Sequence, residues 1–242
     1  MPIDSLTNAQ VKYWVSLHQA KHRRETGAFL VEGDHLVQEA FKANALELIL
    51  LSEGRDNPYP SVKSVVLSDK VFKKVSQIES VGSIMAVCRL DLTKEVVGKR
   101  LVLCDRIQDP GNLGTIIRSA TAFGFDGILC SDDSVDFTNE KVIRSTQGAL
   151  FHIALAQVDL NQAILDLKKS GVKVYGTALD NAVGLSQVKP TTPVAFVLGN
   201  EGSGVSQDLL ELCDQNLYIE CEGFESLNVA VACGILCHHF RK

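Results

Sequence analysis

The sequence of 242 residues has no apolar run long enough to cross a bilayer. Its longest apolar stretch, from Leu227 to Leu236, is short and is interrupted by Asn228. The N-terminus also lacks the charged and then apolar pattern of a secretory signal. These absences argue against membrane-spanning and secreted classes and predict a soluble, cytoplasmic protein.

Closely spaced cysteine pairs are missing as well. The seven cysteines form an odd set, lie mostly inside apolar runs and show no Cys-x-x-Cys spacing, which is typical of reduced core positions. Cys233, Cys237, His238 and His239 are close in sequence, but no second cluster supplies the remaining ligands of a four-ligand site. The sequence therefore predicts neither disulfides nor a metal site.

An excess of basic residues, the usual footprint of a nucleic-acid partner, is also absent, because the net charge is −5. The charge is uneven along the chain. Residues 1–95 hold twelve basic and twelve acidic side chains, whereas residues 96–242 hold twelve and seventeen. A local basic cluster that includes Arg23 and Arg24 lies in the neutral part. It is either a solvated helix face or a contact for RNA.

The first part of the chain alternates between helical and strand patterns. Helical spacing runs from Leu6 to Arg24, and Asp34 is a candidate cap for a second helix. The remaining elements are a short apolar run at 28–32, strands at 46–51, 62–67 and 84–88, and a helix at 69–77. This order predicts a small α/β domain over residues 1–95, and the mixed, aperiodic stretch 89–99 is interpreted as a linker.

Residues 96–242 predict a second α/β domain. A strand at 101–104 leads through the turn at Pro110 and Gly111 into a helix that ends at Gly124, with Asn112 as a candidate cap. Further strands are predicted at 126–130, 153–158, 172–176 and 214–219, and further helices at 139–147 and 160–170. Open α/β sheets bind ligands beyond the carboxyl ends of their strands.

Two familiar nucleotide-binding patterns do not fit. The turn after the first strand of this domain has two glycines three residues apart and no acidic residue at the offset expected of a dinucleotide fingerprint. It also lacks the Gly-Lys-Ser/Thr ending of a phosphate-binding loop. A nucleotide-dependent oxidoreductase is therefore disfavoured. The run Gly199-Asn-Glu-Gly-Ser-Gly204 instead indicates backbone that approaches something closely.

Three segments together resemble the three motifs of the SpoU-TrmH family of RNA ribose 2′-O-methyltransferases, in order and spacing. They are Asp109-Pro-Gly-Asn-Leu-Gly-Thr-Ile-Ile-Arg118, Val197-Leu-Gly-Asn-Glu-Gly-Ser-Gly204 and Ser226-Leu-Asn-Val229. The segment 141–151 also resembles the family's pattern. Residues 21–33 are similar to the small substrate-binding domain that precedes the catalytic domain in the ribosomal-RNA members.

The resemblance implies more than periodicity predicts. It implies a SPOUT domain with a mostly parallel sheet, a C-terminal trefoil knot, S-adenosylmethionine held largely by main-chain groups, and a homodimer that acts on RNA, most simply ribosomal RNA. The knot would not follow from general rules, because knots are almost absent from proteins. A transfer-RNA methyltransferase and a catalytically silent RNA-binding relative remain alternatives.

Functional positions carry over by their place in the motifs. The resemblance assigns catalytic or ordering roles to five polar residues: Asn112, Arg118, Glu201, Ser226 and Asn228. It assigns cofactor contacts to eight residues: Thr177, Ala178, Leu198, Gly199, Asn200, Gly202, Ile219 and Leu227. We add four basic residues as candidate RNA contacts: Arg23, Arg24, Lys141 and Arg144.

Chemistry narrows two of these roles. Arg118 keeps its proton at any ordinary pH, so we expect it to hold the phosphate beside the target ribose and to stabilise negative charge on the hydroxyl oxygen. Glu201 is either a proton acceptor or a brace for Asn112 and the glycine loop, and we favour the brace. The third motif departs from the family: Glu220 and Cys221 replace a common apolar pair, the loop to Ser226 is one residue shorter, and Glu222 and Glu225 add negative charge.

Overall fold

The computed structural model describes residues 1–78, 82–90, 96–223 and 226–241. The chain divides into two compact units. The first unit comprises Met1–Asp91 and Thr138–His152, and the second comprises Leu92–Phe137 and Ile153–Lys242.

Both units contain strands and helices. The strands are β1 (Ala28–Glu32), β2 (Leu46–Ser52), β3 (Ser64–Leu67), β4 (Ile84–Arg89), β5 (Arg100–Cys104), β6 (Gly127–Cys130), β7 (Ala154–Gln157), β8 (Lys173–Thr177), β9 (Ala182–Gly184), β10 (Val194–Leu198) and β11 (Gln215–Tyr218). The helices are α1 (Ala9–Ser16), α2 (Ala20–Thr26), α3 (Asp34–Lys42), α4 (Asp69–Val75), α5 (Pro110–Ala122), α6 (Glu140–Thr146), α7 (Leu160–Lys169), α8 (Gln207–Leu212) and α9 (Val229–His239). Single 3₁₀ turns lie at Ala149–Phe151 and Leu185–Gln187.

The first unit is built on a mixed sheet in the order β1-β4-β2-β3, where β2 and β3 are parallel and the other pairs are antiparallel. Trp14 of α1 and Phe72 of α4 are almost fully buried in a core that also includes Leu30 and Val87 of the sheet. Burial of such large apolar side chains supplies most of the stability of a small domain.

The single helix predicted from Leu6 to Arg24 is wrong, because the chain breaks between α1 and α2. Arg23 explains how the break is stabilised. Its side chain is 7% exposed, and its Nη1 donates to the carbonyl oxygens of Leu17 (3.0 Å) and His18 (2.9 Å) just after α1 ends. Those carbonyls would otherwise lack partners. Arg23 is therefore part of the interior and not of an exposed basic surface.

The second unit confirms the predicted α/β class. Its sheet has the order β7-β6-β5-β10-β8-β11-β9, and all its strand pairs are parallel. The central strand β10 is buried at every residue, as expected of a parallel strand covered on both faces. Leu160 and Ile164 of α7 and Leu209 of α8 pack on this sheet.

The segment 138–152 belongs to the first unit, although we predicted it as part of the second domain. Phe151 stacks on Phe29 with ring centroids 6.3 Å apart, and His152 Nε2 lies 2.6 Å from Glu39 Oε2. A Cβ at Gly148 would meet the Glu39 side chain at 2.5 Å. Lys141 and Arg144 are consequently carried by the first unit.

Some sequence interpretations lie partly outside the described residues. The linker predicted at 89–99 includes 91–95, and the acidic third-motif loop includes Glu225. The short elements β9 and α8 were not predicted, and Asp34 is the first residue of α3, whose N-cap is Gly33. No helix among the described residues is long and apolar enough to cross a membrane. Within the same residues, no group of His, Cys, Asp or Glu is arranged to hold a metal ion.

Candidate active site

The three glycine-bearing segments follow the carboxyl ends of strands that are close in the sheet. Leu198, the last residue of β10, is opposite Cys104 at the end of β5. On the other side of β10, strand β8 ends at Thr177, which is opposite Leu217 of β11. The loops that begin at Asp105, Gly199 and Ile219 therefore emerge at one edge of the sheet, where α/β proteins place their ligands.

Helix α5 begins at the first of these loops. Asp109 is its N-cap, and its Oδ1 accepts from the N–H of Asn112 at 2.8 Å. Pro110 occupies the first helical position, where its missing N–H costs nothing. The prediction that Asn112 caps this helix is therefore wrong. The Asp-Pro pair was the signal for the correct cap, and the side chain of Asn112 is left to bond elsewhere.

Glu201 of the glycine loop receives three hydrogen bonds from the start of α5. Its Oε1 accepts from the N–H of Asp109 and from Nδ2 of Asn112, both at 3.0 Å. Its Oε2 accepts from the N–H of Gln108 at 3.3 Å. The carboxylate thus satisfies backbone donors of the first motif and joins that motif to the second.

The third motif joins the same set of bonds through Asn228, which is the N-cap of α9. Its Oδ1 accepts from the N–H groups of Ala230 (2.9 Å) and Val231 (3.3 Å). Its Nδ2 donates to Oδ1 of Asn112 at 3.0 Å. We call the series Asn228, Asn112 and Glu201 the amide bridge. Because helix N–H groups fix the orientation of one amide and a carboxylate fixes the other, each donor faces an acceptor.

The amide bridge also sets the charge state of Glu201. Burial raises the pKa of this carboxyl, but the hydrogen bonds from Asn112 and from backbone N–H groups outweigh that effect, and the pKa lies below its ordinary value. A carboxylate that is stabilised in this way is a poor proton acceptor at neutral pH. The geometry favours the bracing role over the role of general base.

The glycine loop is tight because it folds against itself. The N–H of Asn200 donates to Gly204 O at 3.1 Å, and the N–H of Gly204 donates back to Asn200 O at 2.9 Å. A Cβ on Gly199 would lie 2.0 Å from the backbone nitrogen of Val205. The close approach predicted from the glycines is therefore one between two parts of the loop's own backbone.

The eight predicted cofactor residues have different surroundings. Leu198 is buried in the core, and its carbonyl accepts from the N–H of Asp105 at 2.8 Å, so it anchors the loop. Asn200 Oδ1 accepts from the N–H groups of Gly202 and Ser203, which stiffens the turn. The remaining residues, Thr177, Ala178, Gly199, Ile219 and Leu227, lie in or beside the loops at the carboxyl edge of the sheet.

Arg118 and Ser226 do not take part in the amide bridge. Arg118 is exposed on α5, and neither a hydrogen bond nor an ion pair joins its side chain to the described part of the chain. It follows Asn112 by six positions, which corresponds to about 9 Å along the helix. Ser226 is exposed as well, and the N-cap of α9 is Asn228.

Three of the four predicted RNA contacts are exposed, all on the first unit. They are Arg24 on α2 and Lys141 and Arg144 on α6. Arg144 pairs with Glu140 one helical turn away at 3.1 Å, a surface ion pair of small energy.

The carboxylate of Glu220, where the third motif departs from the family, is held by hydrogen bonds from a nearby residue. Its Oε1 accepts from both the N–H and the hydroxyl of Ser186, and these bonds hold the pKa of the carboxyl below its ordinary value. The same carboxylate packs against Gly184, where a Cβ would meet Oε1 at 2.3 Å. The Glu220 side chain therefore fixes the turn after β9.

Comparison with known proteins gives consistent matches over the whole chain. Residues 99–238 match the SpoU rRNA methylase family, and residues 8–86 match the MRM3-like substrate-binding domain. The 23S rRNA (guanosine(2553)-2′-O)-methyltransferase RlmP of Bacillus subtilis is 41% identical over 244 residues, covering 99% of this chain and 98% of that protein.

Solved structures agree in fold over the same span. A TrmH-family structure from Porphyromonas gingivalis has a TM-score of 0.89 and 31% identity and covers 98% of both chains. An AdoMet-bound rRNA methyltransferase from Sinorhizobium meliloti has a TM-score of 0.87 and 26% identity, covering 99% of this chain and 97% of the other. Both likenesses extend across the two units described above.

Proposed function

The chain belongs to the SpoU rRNA methylase family, and on that premise we propose that it transfers a methyl group from S-adenosylmethionine to a ribose 2′-hydroxyl of 23S-type ribosomal RNA. The observation that carries the proposal is the amide bridge, in which Asn228, Asn112 and Glu201 join the three motif segments at one edge of the sheet.

The residues at this edge fit the cofactor. A methyl donor with a sulfonium, an adenine and an amino-acid group needs main-chain donors and acceptors together with apolar surface. The glycine loop offers backbone, and Leu227, whose exposure is 37%, offers an apolar side chain beside it. The charge of Glu201 is already satisfied by three donors. We infer that Thr177, Ala178, Gly199, Ile219 and Leu227 hold the cofactor, which supplies an activated methyl group when bound.

Arg118 has the chemistry that the reaction requires of the protein. Its guanidinium is exposed and keeps its charge, so it can grip the phosphate next to the target ribose with two parallel hydrogen bonds. The same charge stabilises the oxygen of the attacking hydroxyl as that oxygen becomes negative. Positioning of the ribose supplies much of the remaining acceleration. As the O–C bond to the methyl group forms and the donor's C–S bond breaks to leave S-adenosylhomocysteine, the hydroxyl proton passes to solvent water. Glu201 holds the loop and does not receive the proton.

The first unit is the RNA-binding part of the protein in this proposal. Arg24, Lys141 and Arg144 present positive charge from two helices of that unit. The match of residues 8–86 to a substrate-binding domain supports the same role, and the full-length similarity to a 23S rRNA enzyme supports ribosomal RNA over transfer RNA. A ribosomal RNA substrate is consistent with a cytoplasmic location.

The C-terminal helix supports a homodimer. Helix α9 is apolar around most of its circumference, yet Val231 and Ile235 are 52% and 36% exposed and lie one turn apart. The two side chains form an exposed apolar stripe on one face of the helix, and Leu227 lies just before the helix begins. An apolar face of this kind is expected to be buried. We infer that a second copy of the chain covers it and, as the resemblance to the family implies, that Arg118 of the first motif serves the partner's cofactor site. The C-terminal trefoil knot remains part of the same proposal.

Two measurements test the proposed activity. Calorimetric titration with S-adenosylmethionine should show one site per chain, and absence of binding at millimolar cofactor would favour a silent RNA-binding relative. Labelled methyl groups should then pass to unmodified 23S rRNA and not to a transfer-RNA pool. Preferential labelling of transfer RNA would overturn the choice of substrate.

A further inference from the structure

The loop that follows β5 contains a charged pair that the proposed reaction has not used. Asp105 is 4% exposed, and its carboxylate accepts two bonds from the guanidinium of Arg106, from Nε to Oδ1 and from Nη2 to Oδ2, each at 3.0 Å. Such a two-point pair is stronger and more directional than a single hydrogen bond. Arg106 has a φ of 55°, which is uncommon outside glycine.

The Asp105–Arg106 pair bonds to the glycine loop at both of its ends and along its length. At the start of the loop, the N–H of Asp105 donates to Leu198 O at 2.8 Å. At its end, the N–H of Ser206 donates to Oδ2 of Asp105, also at 2.8 Å. Between these points, Nδ2 of Asn200 donates to Arg106 O at 2.9 Å.

The guanidinium reaches the far side of the same loop. Nη2 of Arg106 donates to Gly204 O at 3.2 Å, and Nη1 donates to the hydroxyl of Ser203 at 3.4 Å. The backbone of Arg106 is itself fixed, because its N–H donates to Oγ of Ser131 at 2.9 Å. Ser131 follows β6, so the Asp105–Arg106 pair also connects the glycine loop to the end of that strand.

Electrostatics agree with this geometry. Burial raises the pKa of the Asp105 carboxyl, but the bonds from Arg106 and Ser206 outweigh it and leave the pKa below its ordinary value. Asp105 is therefore ionised at neutral pH and paired, as a buried charge must be. Removal of the Arg106 guanidinium would leave that charge without its main partner and would remove the bonds to Gly204 O and to the Ser203 hydroxyl, so this side of the loop could shift.

We propose that Asp105 and Arg106 are positioning residues that fix the main chain of Gly199–Gly204 in the conformation that binds the cofactor. Neither side chain needs to touch the methyl group or the RNA. The proposal rests on the proposed function, because it takes the glycine loop as the cofactor site. Its specific claim is that the pair controls cofactor affinity through the loop.

The test compares Arg106→Gln and Arg106→Lys with the wild type well below the melting temperature. Arg106→Gln should weaken S-adenosylhomocysteine binding in calorimetry by about tenfold or more, the scale of losing hydrogen bonds to a charged group. KM for S-adenosylmethionine should rise in parallel, while kcat at saturating cofactor stays within about threefold. Arg106→Lys should fall between the two, because lysine keeps the charge but not the planar fork.

A matched control is Lys168→Gln in the same unit. Lys168 donates to Leu212 O at 2.6 Å and pairs with Asp214 at 3.4 Å, away from the glycine loop. This variant should lose stability without losing cofactor affinity. A lowered melting temperature with unchanged affinity in Arg106→Gln would overturn the proposal and leave the pair as a stability element. If the wild-type protein itself fails to bind the cofactor, the proposed function fails instead.

Discussion

Nδ2 of Asn228 donates to Oδ1 of Asn112 at 3.0 Å, although 116 positions separate the two residues in sequence. The same Asn228 caps helix α9 through Oδ1, and the same Asn112 donates to Glu201. One amide therefore fixes the start of the C-terminal helix and also ties it to the helix of the first motif. Cap and bridge use different atoms of the side chain, so substitution can separate the two roles.

Asn228→Asp should keep the cap and lose the bridge, because it retains an acceptor for the helix N–H groups but has no donor for Asn112. We expect a small change in stability and a loss of methyl transfer of about tenfold, the scale of one hydrogen bond between well-placed groups. Asn228→Ala should lose both and cost about 1 kcal/mol of unfolding free energy. Denaturant unfolding and methyl-transfer assays measure the two effects.

The control for the cap is Asp159→Ala on α7. Asp159 also accepts from two helix N–H groups, those of Asn161 and Gln162, but lies outside the amide bridge. This variant should lose a comparable amount of stability and keep its activity at low temperature. Full activity in Asn228→Asp would show that the bridge has no role in the reaction.

Arg118→Ala should reduce turnover by at least about a hundredfold, the scale of removing a group that stabilises a developing negative charge. Cofactor affinity should stay close to the wild-type value, since Arg118 makes no contact with the glycine loop in the described part of the chain. Calorimetry measures the cofactor affinity, and single-turnover methyl transfer measures the rate of the reaction. Thr115→Ala, on the exposed side of the same helix, is the control and should change neither. Lost cofactor binding in Arg118→Ala would refute this division of roles.

Glu201 gives a prediction about pH. Its pKa is lowered in the folded protein, so its contribution to stability is complete above the ordinary value of 4.5 and is lost as the pH falls through the lower, folded value. Glu201→Gln should therefore show the same shape of the kcat/KM profile as the wild type from about pH 6 to 9. The gap in unfolding free energy between the two should close only in acid. An inflection near neutral pH that disappears in Glu201→Gln would identify the carboxylate as the base.

Gly199→Ala should abolish cofactor binding, because the new Cβ would lie 2.0 Å from the backbone nitrogen of Val205. The backbone of Val205 cannot move away unless the whole glycine loop moves with it. The loop would open, and the bond between Asn200 and Gly204 would weaken. Gly82→Ala is the control, since a Cβ there meets nothing within 4 Å. Calorimetric titration of both variants decides the matter, and wild-type affinity in Gly199→Ala would contradict the account of the loop.

Val231→Glu should convert the protein to a monomer in sedimentation analysis by placing a charge on the exposed stripe of α9. Leu165→Glu is the control, because Leu165 is 41% exposed on α7 and lies outside the stripe. A dimer that survives Val231→Glu would mean that another surface joins the copies.

The dimer proposal also predicts complementation between two inactive variants. When Arg118→Ala and Gly199→Ala chains are mixed and allowed to exchange, a mixed dimer contains one intact loop and one intact Arg118 on opposite chains. Activity should return if Arg118 serves the partner's site. It should stay absent if Arg118 serves the site of its own chain.

Much of the fold followed from local pattern. The apolar runs of β5 and β6 lie close to their predicted positions, because full burial in a parallel sheet leaves a strong signal. The break between α1 and α2 was missed, although the apolar spacing stops at Leu17 and residues 18–24 are almost all polar. It depends on Arg23, whose buried guanidinium satisfies carbonyls at the end of α1, and no periodicity reveals such a tertiary bond.

The sequence predicted which residues belong to the candidate site but not which hydrogen bonds join them. The order of the motifs predicted that Asn112, Glu201 and Asn228 belong to one site. It did not predict the hydrogen bond between the two amides, because that bond depends on Asp109, and not Asn112, capping α5. The return of residues 138–152 to the first unit was also beyond the sequence, because Phe29 and Phe151 meet only after both segments have folded. For that reason Lys141 and Arg144, which were predicted in the second domain, lie in the first unit.

The most direct test of the central claim is nucleoside mass spectrometry of 23S rRNA after reaction with the purified protein and S-adenosylmethionine. The account predicts one new ribose 2′-O-methylated nucleoside with the wild-type protein and its absence with Arg118→Ala. A methyl group on a base, or an equal yield of the ribose product from Arg118→Ala, would contradict it.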